Sequence, residues 1–400
     1  MTWKETNVEN LKTQFIGLYL SRDFTITELC ESFGISRKTG HRLIKKYNEY
    51  GPSALENNSR APHTHPNATS LEIEDLIKEC KRLHLTLGPK KLRVILQKGN
   101  SDNIKLPAVS TISEILKRNG FTTTRNRGPE KGLYNPANPI DDLEPNNTWC
   151  ADYKGQFSLG NDELCYPLTI SDACTRMLIN ITAFNCINSD YAIKVFETAF
   201  IKYGMPLALR TDNGNPFASN GLGGLSSLSV RLIKLNIRLD RIDKGHPEQN
   251  GRHERMHRDL KAYISYHPSY DMDSQQRVIE MFVSEYNNIR PHESLGMDTP
   301  ASRYVTSPRE YPSIIPEIEY PDETIIRKVR SQGCIKWKGS MIYICEPLYG
   351  EPVGLVQLNE RFYAIYYSKI PLAILDDFTG KLLSKRRAGN LMKQLVGVTL

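Results

Sequence analysis

The fold of this chain is decided at one short stretch, Thr148-Trp149-Cys150-Ala151-Asp152-Tyr153-Lys154-Gly155. From Trp149 onward the side chains alternate with the period of two that is typical of a β-strand. The alternation places Asp152 and Lys154 on the same face of that strand. Apolar runs at 164–171, 177–184 and 205–211 and helical repeats at 189–203, 224–235, 250–264 and 274–287 follow. This order predicts an α/β domain with a mixed sheet.

Before this domain, residues 8–50 have the pattern of three short helices. Thr25 can cap the second helix, with Glu28 three residues on, and Gly34 allows a tight turn before the third helix. A turn followed by a basic helix is typical of a helix-turn-helix whose last helix enters the major groove. The candidate DNA-contacting residues of that helix are Arg37, Lys38, His41, Arg42 and Lys45. The alternative is a helical bundle whose charges are only solvated.

The remaining chain divides by composition and by turn residues. Helical repeats near 71–84, 88–98 and 108–119 predict a second helix-turn-helix, and short apolar runs between 327 and 383 predict a small β-barrel. The predicted domains are 1–50 (helix-turn-helix), 51–70 (linker), 71–120 (second helix-turn-helix), 121–147 (linker), 148–305 (α/β core) and 306–400 (C-terminal β-barrel and basic tail). The chain is therefore expected to be multidomain.

Composition narrows the class of protein. The 400 residues carry a net charge of +7, which suits a polyanionic partner without identifying one. No apolar run is long enough to span a bilayer, and Met1-Thr2-Trp3-Lys4-Glu5 lacks the layout of a secretory signal. The eight cysteines form no C-x-x-C pair. We therefore expect a cytoplasmic protein with reduced cysteines.

Three carboxylates stand in local settings that suit metal binding. Asp152 lies on the first strand, and Asp212 follows the apolar run 205–211. Glu248 and Glu254 both qualify as the third, and Glu254 is favoured because Arg258 and Lys261 share its helix face. Mg²⁺ prefers such hard oxygen ligands, and two ions roughly 3.5–4 Å apart can drive phosphodiester chemistry. The pattern predicts a phosphoryl-transfer site.

Other acidic and metal-ligating residues offer weaker alternatives. The chain has 45 acidic residues, so an arbitrary trio has no meaning without its local setting. Asp172 is interpreted as a turn residue between two strands. His246, His253 and His257 are disfavoured as a zinc site because no cysteine lies near them.

Several segments resemble the DDE transposase and retroviral-type integrase superfamily, closest to bacterial insertion-sequence transposases with an integrase core. The resembling segments are 149–155, Arg210-Thr211-Asp212-Asn213-Gly214, Gly245-His246-Pro247 through Arg255, Tyr286-Asn287 through Arg290-Pro291-His292, and Thr299-Pro300-Ala301. The resemblance implies a ribonuclease-H-like core in which Asp152, Asp212 and Glu254 are catalytic and hold two Mg²⁺ ions, which Mn²⁺ can replace. It favours Glu254 over Glu248, because the family's glutamate follows the Asn-Gly pair by three residues.

The resemblance also assigns supporting roles. Lys154, Arg258 and Lys261 would hold DNA phosphates, and the site would be supported by Asn213, Gly214, Asn250 and Gly251. Glu254 lies 42 positions after Asp212, which is longer than the commonest spacing of the family. The excess is assigned to 215–229, where Gly221, Gly223 and Gly224 predict a flexible insert.

The implied function is that of a transposase or integrase. Metal-activated water would cut at an element's end, and the freed 3′-hydroxyl would attack target DNA. The implied partners are double-stranded DNA, as terminal inverted repeats and as target, and a second copy of the chain in a homodimer or higher oligomer. The implied location is the bacterial cytoplasm, at the nucleoid when DNA is bound. Three alternatives remain: a nuclease that does not join strands, a DNA-binding regulator derived from a transposase, and a descendant that keeps the fold but has lost mobility.

Overall fold

The computed structural model describes residues 8–56, 68–99, 105–121, 143–243, 249, 251–384, 386–389 and 391. Its contacts divide the chain into two compact units, Met1–Thr69 and Ser70–Leu400. The first unit contains helices α1 (Val8–Ser21), α2 (Ile26–Ser32) and α3 (Arg37–Tyr50) and a 3-10 turn at Gly51–Leu55.

The helix-turn-helix of the first unit begins and ends where the capping residues predict. The Thr25 hydroxyl accepts a hydrogen bond from the Glu28 amide, and the Glu28 carboxylate accepts one from the Thr25 amide at 2.8 Å. Ser36 caps α3 in the same way, by accepting from the Thr39 amide at 3.2 Å. A small core closes the unit, formed by Phe15, Ile16, Leu29, Cys30, Ile44 and Leu55. The predicted three-helix unit is confirmed.

Gly40 sets how closely α3 can approach α2. A Cβ atom at this position would lie 2.5 Å from Cys30 Sγ and 3.2 Å from Phe15 Cζ. Gly40→Ala is therefore expected to lower the free energy of unfolding by about 1–2 kcal/mol, because overpacking outweighs the gain in helix propensity. Gly17→Ala, on exposed α1 with nothing within 4 Å, is the matched control and is expected to stabilise. Equal urea midpoints for the two variants would contradict this account of the packing.

The second unit begins with α4 (Leu71–Leu83), α5 (Pro89–Gly99) and α6 (Val109–Arg118). These helices bury their own apolar stripe, formed by Ile77, Cys80, Leu87, Leu92, Leu96, Ile112, Ile115 and Leu116. The predicted helices are confirmed to within one residue at most ends.

The α/β core follows. Its strands are β1 (Thr148–Tyr153), β2 (Phe157–Ser158), β3 (Leu164–Cys165), β4 (Leu168–Asp172), β5 (Leu178–Thr182), β6 (Ala208–Thr211) and β7 (Arg238–Arg241). Its helices are α7 (Ser189–Tyr203), α8 (Ser227–Lys234), α9 (Gly251–Tyr266), α10 (Met272–Asn288) and α11 (Pro300–Arg303). The main sheet has the order β5-β4-β1-β6-β7, in which β1 is antiparallel to β4 and parallel to β6. This mixed, helix-covered sheet is the ribonuclease-H-like arrangement.

Helices cover both faces of this sheet. On one face, α7 and α8 pack around Trp149, Phe196 and Phe200. On the other, α9 and α10 enclose Leu178 and Ile181. The edge at which β1 and β6 end therefore lies between two helical layers.

The C-terminal region is built from antiparallel strands. They are β8 (Ile325–Lys328), β9 (Cys334–Trp337), β10 (Ser340–Tyr343), β11 (Pro352–Gln357), β12 (Phe362–Tyr367), β13 (Ile370–Asp376) and β14 (Lys381–Leu382). One sheet has the order β14-β13-β12-β11-β8, and β9 and β10 form a hairpin. The two share one apolar core, so the region predicted as a β-barrel consists of a five-stranded antiparallel sheet and a hairpin that packs against it.

The insert at 215–229 is packed, which makes the prediction of a flexible segment wrong. Leu225 is fully buried in the core of the C-terminal sheet, and a Cβ atom on Gly223 would lie 2.7 Å from Leu372. A 2.8 Å ion pair between Lys234 of α8 and Glu351, which precedes β11, also joins the α/β core to the C-terminal sheet. Gly223 and Gly224 adopt a positive φ and allow the backbone to approach its neighbours closely. The segment is ordered because it packs against the C-terminal sheet, which is distant in the sequence, whereas its own residues predict flexibility.

Helices α4–α6 pack directly against the core. The Arg290 guanidinium donates to the Thr86 hydroxyl at 3.3 Å, and His84 Nδ1 lies 3.4 Å from a Glu285 carboxylate oxygen. A longer ion pair of 3.8 Å joins Lys98 to Asp298. In the part of the chain that the structure describes, no helix combines the length and apolar character needed to cross a membrane.

Candidate active site

Asp152 lies near the end of β1, where the main sheet meets α9. Its side chain is largely buried, and burial is the first cause that raises its pKa, to about 7. The charge of Asp212 is the next cause that raises this pKa, and the charge of Glu254 raises it further. Like charges disfavour ionisation only at short range, so the three carboxylates share one electrostatic neighbourhood.

Asp212 follows β6 and is held by the turn that comes after it. Its Oδ1 accepts a hydrogen bond from the Gly214 amide at 3.0 Å, and a Cβ atom at Gly214 would lie only 3.0 Å from Oδ2. The Asn213 side chain donates to the Ile242 carbonyl at 2.7 Å, which ties this turn to the segment after β7. The turn residues therefore fix the direction of the Asp212 carboxylate.

Glu254 and the predicted phosphate-holding residues lie on or near α9. Glu254 is exposed in the first turn of α9, and Arg258 and Lys261 are exposed further along it. Burial and then the charge of Lys261 lower the pKa of Lys154, whereas the charge of Asp152 raises it, so Lys154 lies near both Lys261 and the Asp152 carboxylate. The support residue Gly251 begins α9; Asn250, Glu248 and His246 lie outside the described residues.

The donor set fits a hard divalent cation. The charges of Asp212 and Glu254 raise the pKa of Asp152, and Mg²⁺, which binds oxygen ligands and keeps part of its water shell, would offset that repulsion. In the described residues, no three His, Cys, Asp or Glu side chains already stand at ligand spacing. The residues that separate Asp243 from α9 are mostly outside the described ranges, and they connect β7 to the helix that carries Glu254.

A buried hydrogen-bond network between β4 and α9 holds the backbone of Asp152. The Thr169 hydroxyl donates to the Asp152 carbonyl at 2.8 Å and lies 2.7 Å from His253 Nε2 and 2.8 Å from His257 Nε2. Because a hydroxyl has one proton, both imidazoles must donate to Thr169 through Nε2. The Ser171 hydroxyl then donates to His253 Nδ1 at 2.9 Å.

Both histidines of this network are neutral. Burial lowers the pKa of His253 well below its ordinary range, and burial and then the charge of Lys154 lower the pKa of His257 to about 4. Their spacing in the sequence shows only that His253 and His257 share a helix face. Their partner Thr169 is 84 positions before His253, so the sequence alone did not reveal the network.

Thr169→Val is expected to lower the free energy of unfolding by about 3 kcal/mol. Valine keeps the volume but leaves the buried donors of His253 and His257 without their acceptor, at about 1–3 kcal/mol for each unsatisfied group. Thr198→Val is the matched control, since the Thr198 hydroxyl donates to the Lys194 carbonyl on an exposed helix face. Denaturant unfolding of the two variants should separate them clearly. A loss for Thr169→Val no greater than for the control would show that the network contributes nothing.

Asp172 has the structural role predicted for it. Its buried carboxylate accepts hydrogen bonds from the Asn146 amide at 2.8 Å and from the Thr175 amide and hydroxyl, both at 2.7 Å. These bonds close the turn between β4 and β5. The Asp172 carboxylate therefore has a structural role in this turn.

The predicted DNA-contacting residues of the first unit form one exposed surface. Arg37, Lys38, His41, Arg42 and Lys45 are all exposed on α3, whereas Gly40 and Ile44 face the core of the unit. A helix whose cations lie on one side and whose apolar residues lie on the other can enter a groove of duplex DNA.

Family comparisons match the two regions just described. The integrase core domain matches residues 142–247 and, as a second family of the same description, residues 235–300. A helix-turn-helix domain matches residues 11–63.

Two curated proteins of insertion elements are similar to the chain. The 39.2 kDa protein of insertion element IS476 of Xanthomonas euvesicatoria is 29% identical over 159 residues, which is 39% of this chain and 44% of that protein. The 31.7 kDa protein of insertion element IS407 of Burkholderia multivorans is 27% identical over 158 residues, which is 39% of this chain and 54% of that protein. The chain therefore spans about half the length of the curated relatives it matches.

Solved structures show distant likeness. The simian T-cell lymphotropic virus intasome in complex with PP2A regulatory subunit B56 gamma aligns at 16% identity and a TM-score of 0.36, covering 74% of this chain and 98% of that one. The HTLV-2 integrase catalytic core domain in complex with magnesium aligns at 17% identity and a TM-score of 0.33, covering 40% of this chain and 98% of that one. The predicted resemblance to the DDE transposase and retroviral-type integrase superfamily is thus confirmed at the level of domains: residues 142–300 match an integrase core domain and residues 11–63 match a helix-turn-helix domain.

Proposed function

We propose that this protein binds the ends of a mobile element, cleaves DNA there and joins the freed 3′-hydroxyl to target DNA. One observation carries the proposal: Asp212 and Glu254 both raise the pKa of Asp152, although the three residues come from β1, the end of β6 and α9. A fold that gathers carboxylates against their mutual repulsion favours a cation at that place.

Asp152, Asp212 and Glu254 would hold Mg²⁺, and Mn²⁺ can replace it. A bound metal would activate the attacking oxygen and stabilise the charge on the reacting phosphate. The protein's own part is to fix the carboxylates. The Gly214 amide directs Asp212, and the Thr169 hydroxyl holds the backbone of Asp152.

The cations around the carboxylates would bind the DNA backbone. The charge of Lys261 lowers the pKa of Lys154, and Arg258 is one turn after Glu254 on the same helix. They would hold the phosphates on either side of the scissile bond and so align it for in-line attack. Each reaction needs one site for each DNA end, so we expect at least a homodimer on DNA.

End recognition is assigned to the first unit. The exposed cations of α3 would enter the major groove of the terminal repeat, with further contacts to its phosphates. This part of the proposal rests on the exposed basic face of a capped helix that follows a tight turn. The expected location, bacterial cytoplasm and nucleoid, follows from the same proposal.

The test is an assay of cleavage and strand transfer on a labelled DNA end taken from the flanks of the gene. With Mg²⁺ or Mn²⁺ we expect nicking at the end and joined products with a plasmid target, and neither product in EDTA. Cleavage without joining would replace the proposal with a nuclease. DNA binding that persists in EDTA with no cleavage under any metal would replace it with a DNA-binding regulator.

A further inference from the structure

His257 has one ring nitrogen that is bonded within the fold and one that faces the carboxylate site. Its Nε2 donates to the Thr169 hydroxyl at 2.8 Å, whereas its Nδ1 lies 3.8 Å from Asp152 Oδ2. The two side chains are 12% and 26% exposed, so they meet at the edge of the buried network. In the part of the chain that the structure describes, no hydrogen bond involves His257 Nδ1.

The neighbouring His253 differs, because both of its ring nitrogens are bonded within the fold. Its Nε2 lies 2.7 Å from the Thr169 hydroxyl, and its Nδ1 accepts from the Ser171 hydroxyl at 2.9 Å. Its ring also packs edge-on against the ring of His257, with the two centroids 4.7 Å apart. His253 therefore helps to hold His257 in place, and of the two only His257 presents a nitrogen to the carboxylates.

The bond to Thr169 gives His257 the tautomer that metal binding requires. The Thr169 hydroxyl donates its only proton to the Asp152 carbonyl, so the proton of the neutral His257 ring lies on Nε2 and the lone pair on Nδ1. A metal binds imidazole through the nitrogen that has no proton. Histidine ligands usually donate their other N–H to a nearby acceptor, which fixes the ring, and Thr169 is such an acceptor here.

The spacing on α9 brings His257 to the same side as Glu254. Residues three positions apart on a helix are neighbours on its surface, and this Glu-x-x-His spacing lets both side chains bind one ion. Asp152 faces them from β1. Two adjacent ligands of an octahedral ion at about 2.1 Å lie about 3.0 Å apart, so a small side-chain rotation would bring His257 Nδ1 and Asp152 Oδ2 to ligand spacing.

We propose that His257 Nδ1 is a nitrogen ligand of the divalent cation shared by Asp152 and Glu254. The inference rests on the proposed function, because it adds a donor to the ion that the carboxylates would hold. Mg²⁺ favours oxygen ligands, whereas nitrogen ligands favour first-row transition ions, with affinity rising from Mn²⁺ to Co²⁺. The site would therefore prefer Mn²⁺ or Co²⁺ to Mg²⁺.

The test uses two substitutions that each keep one of the two ring positions of His257. Glutamine places its amide group near the position of Nε2, so His257→Gln keeps a donor to Thr169 and removes Nδ1. Asparagine places its amide group near Nδ1, so His257→Asn keeps an oxygen donor beside Asp152 and loses the bond to Thr169. His267→Gln is the matched control, because His267 lies after α9 and its Nδ1 contacts the Tyr263 carbonyl at 3.0 Å.

Metal binding by the full chain is measured by isothermal titration calorimetry. Wild type and His267→Gln should bind Mn²⁺ about 10-fold or more tightly than Mg²⁺. His257→Gln should lose about 10-fold or more in affinity for Mn²⁺ and much less for Mg²⁺, and its retained Mg²⁺ binding shows that it is folded. An unchanged ratio of the Mn²⁺ and Mg²⁺ affinities in His257→Gln, with or without loss of both, would overturn the inference.

Electron spin echo spectroscopy of bound Mn²⁺ observes the nitrogen directly. We expect coupling to a directly bound nitrogen nucleus in wild type and in His267→Gln, and none in His257→Gln or His257→Asn. Bound Mn²⁺ without this coupling in wild type would show that His257 is not a ligand. The coupling together with no DNA cleavage under any metal would support His257 as a ligand and refute the proposed function. Wild type that binds neither ion, with or without a DNA end, would refute both.

Discussion

Glu254→Gln is expected to reduce both cleavage and strand transfer by at least about 1000-fold, equivalent to about 4 kcal/mol of activation free energy. Glutamine has the same shape but lacks the charge with which Glu254 would hold a divalent cation beside Asp152 and Asp212. DNA-end binding in EDTA should change by less than about 2-fold, because Glu254 is exposed and makes no contribution to the core. The measurement is single-turnover cleavage and joining at saturating protein.

Glu248→Gln is the matched control for this prediction. It removes the same charge six residues earlier, from the other candidate for the third carboxylate. We expect it to keep activity within about 10-fold of wild type. If Glu248→Gln is inactive and Glu254→Gln is active, the third metal ligand has been assigned to the wrong residue.

Asp152→Asn is expected to stabilise the metal-free protein at pH 8 by up to about 4 kcal/mol. The pKa of Asp152 rises from 3.8 to about 7 in the folded state, and each unit corresponds to about 1.36 kcal/mol. Because the folded state binds this proton more tightly, the penalty is absent below about pH 4, grows as the pH rises and is complete above about pH 7. The stability difference between variant and wild type should therefore increase from pH 5 to pH 8 in urea unfolding.

Metal addition should act in the opposite direction. Mg²⁺ would bind the charged carboxylates, so we expect it to stabilise wild type at pH 8 and to stabilise Asp152→Asn much less. Asp172→Asn is the matched control, because that carboxylate accepts three hydrogen bonds and its loss should destabilise at every pH. A pH-independent difference for Asp152→Asn would show that the carboxylates do not interact as described.

Local chemistry made much of this structure predictable. Thr25 and Ser36 predict the starts of α2 and α3, because a side-chain oxygen before a helix accepts a hydrogen bond from one of its first free amides. Asp152 could be placed on a strand by alternation alone, and Asp212 at a strand end by the apolar run before it. These assignments depend on neighbours within a few residues.

Long-range contacts explain what the sequence did not reveal. Thr169 joins His253 and His257 only when β4 meets α9, and no periodic pattern marks such a pair. The glycines of 221–224 predict a flexible loop when only the local sequence is considered. In the structure, Leu372, which is distant in the sequence, packs closely against Gly223.

The burial of Leu225 under the C-terminal sheet has a consequence for how the protein unfolds. Leu225 lies 13 positions after Asp212, and its cluster includes residues from Val329 to Leu375. Loss of the sheet would expose Leu225 to water and loosen the chain between a proposed metal ligand and α8. Cooperativity therefore extends across the predicted domain boundary at 305/306, and the smallest fragment with an intact catalytic edge must include the C-terminal sheet.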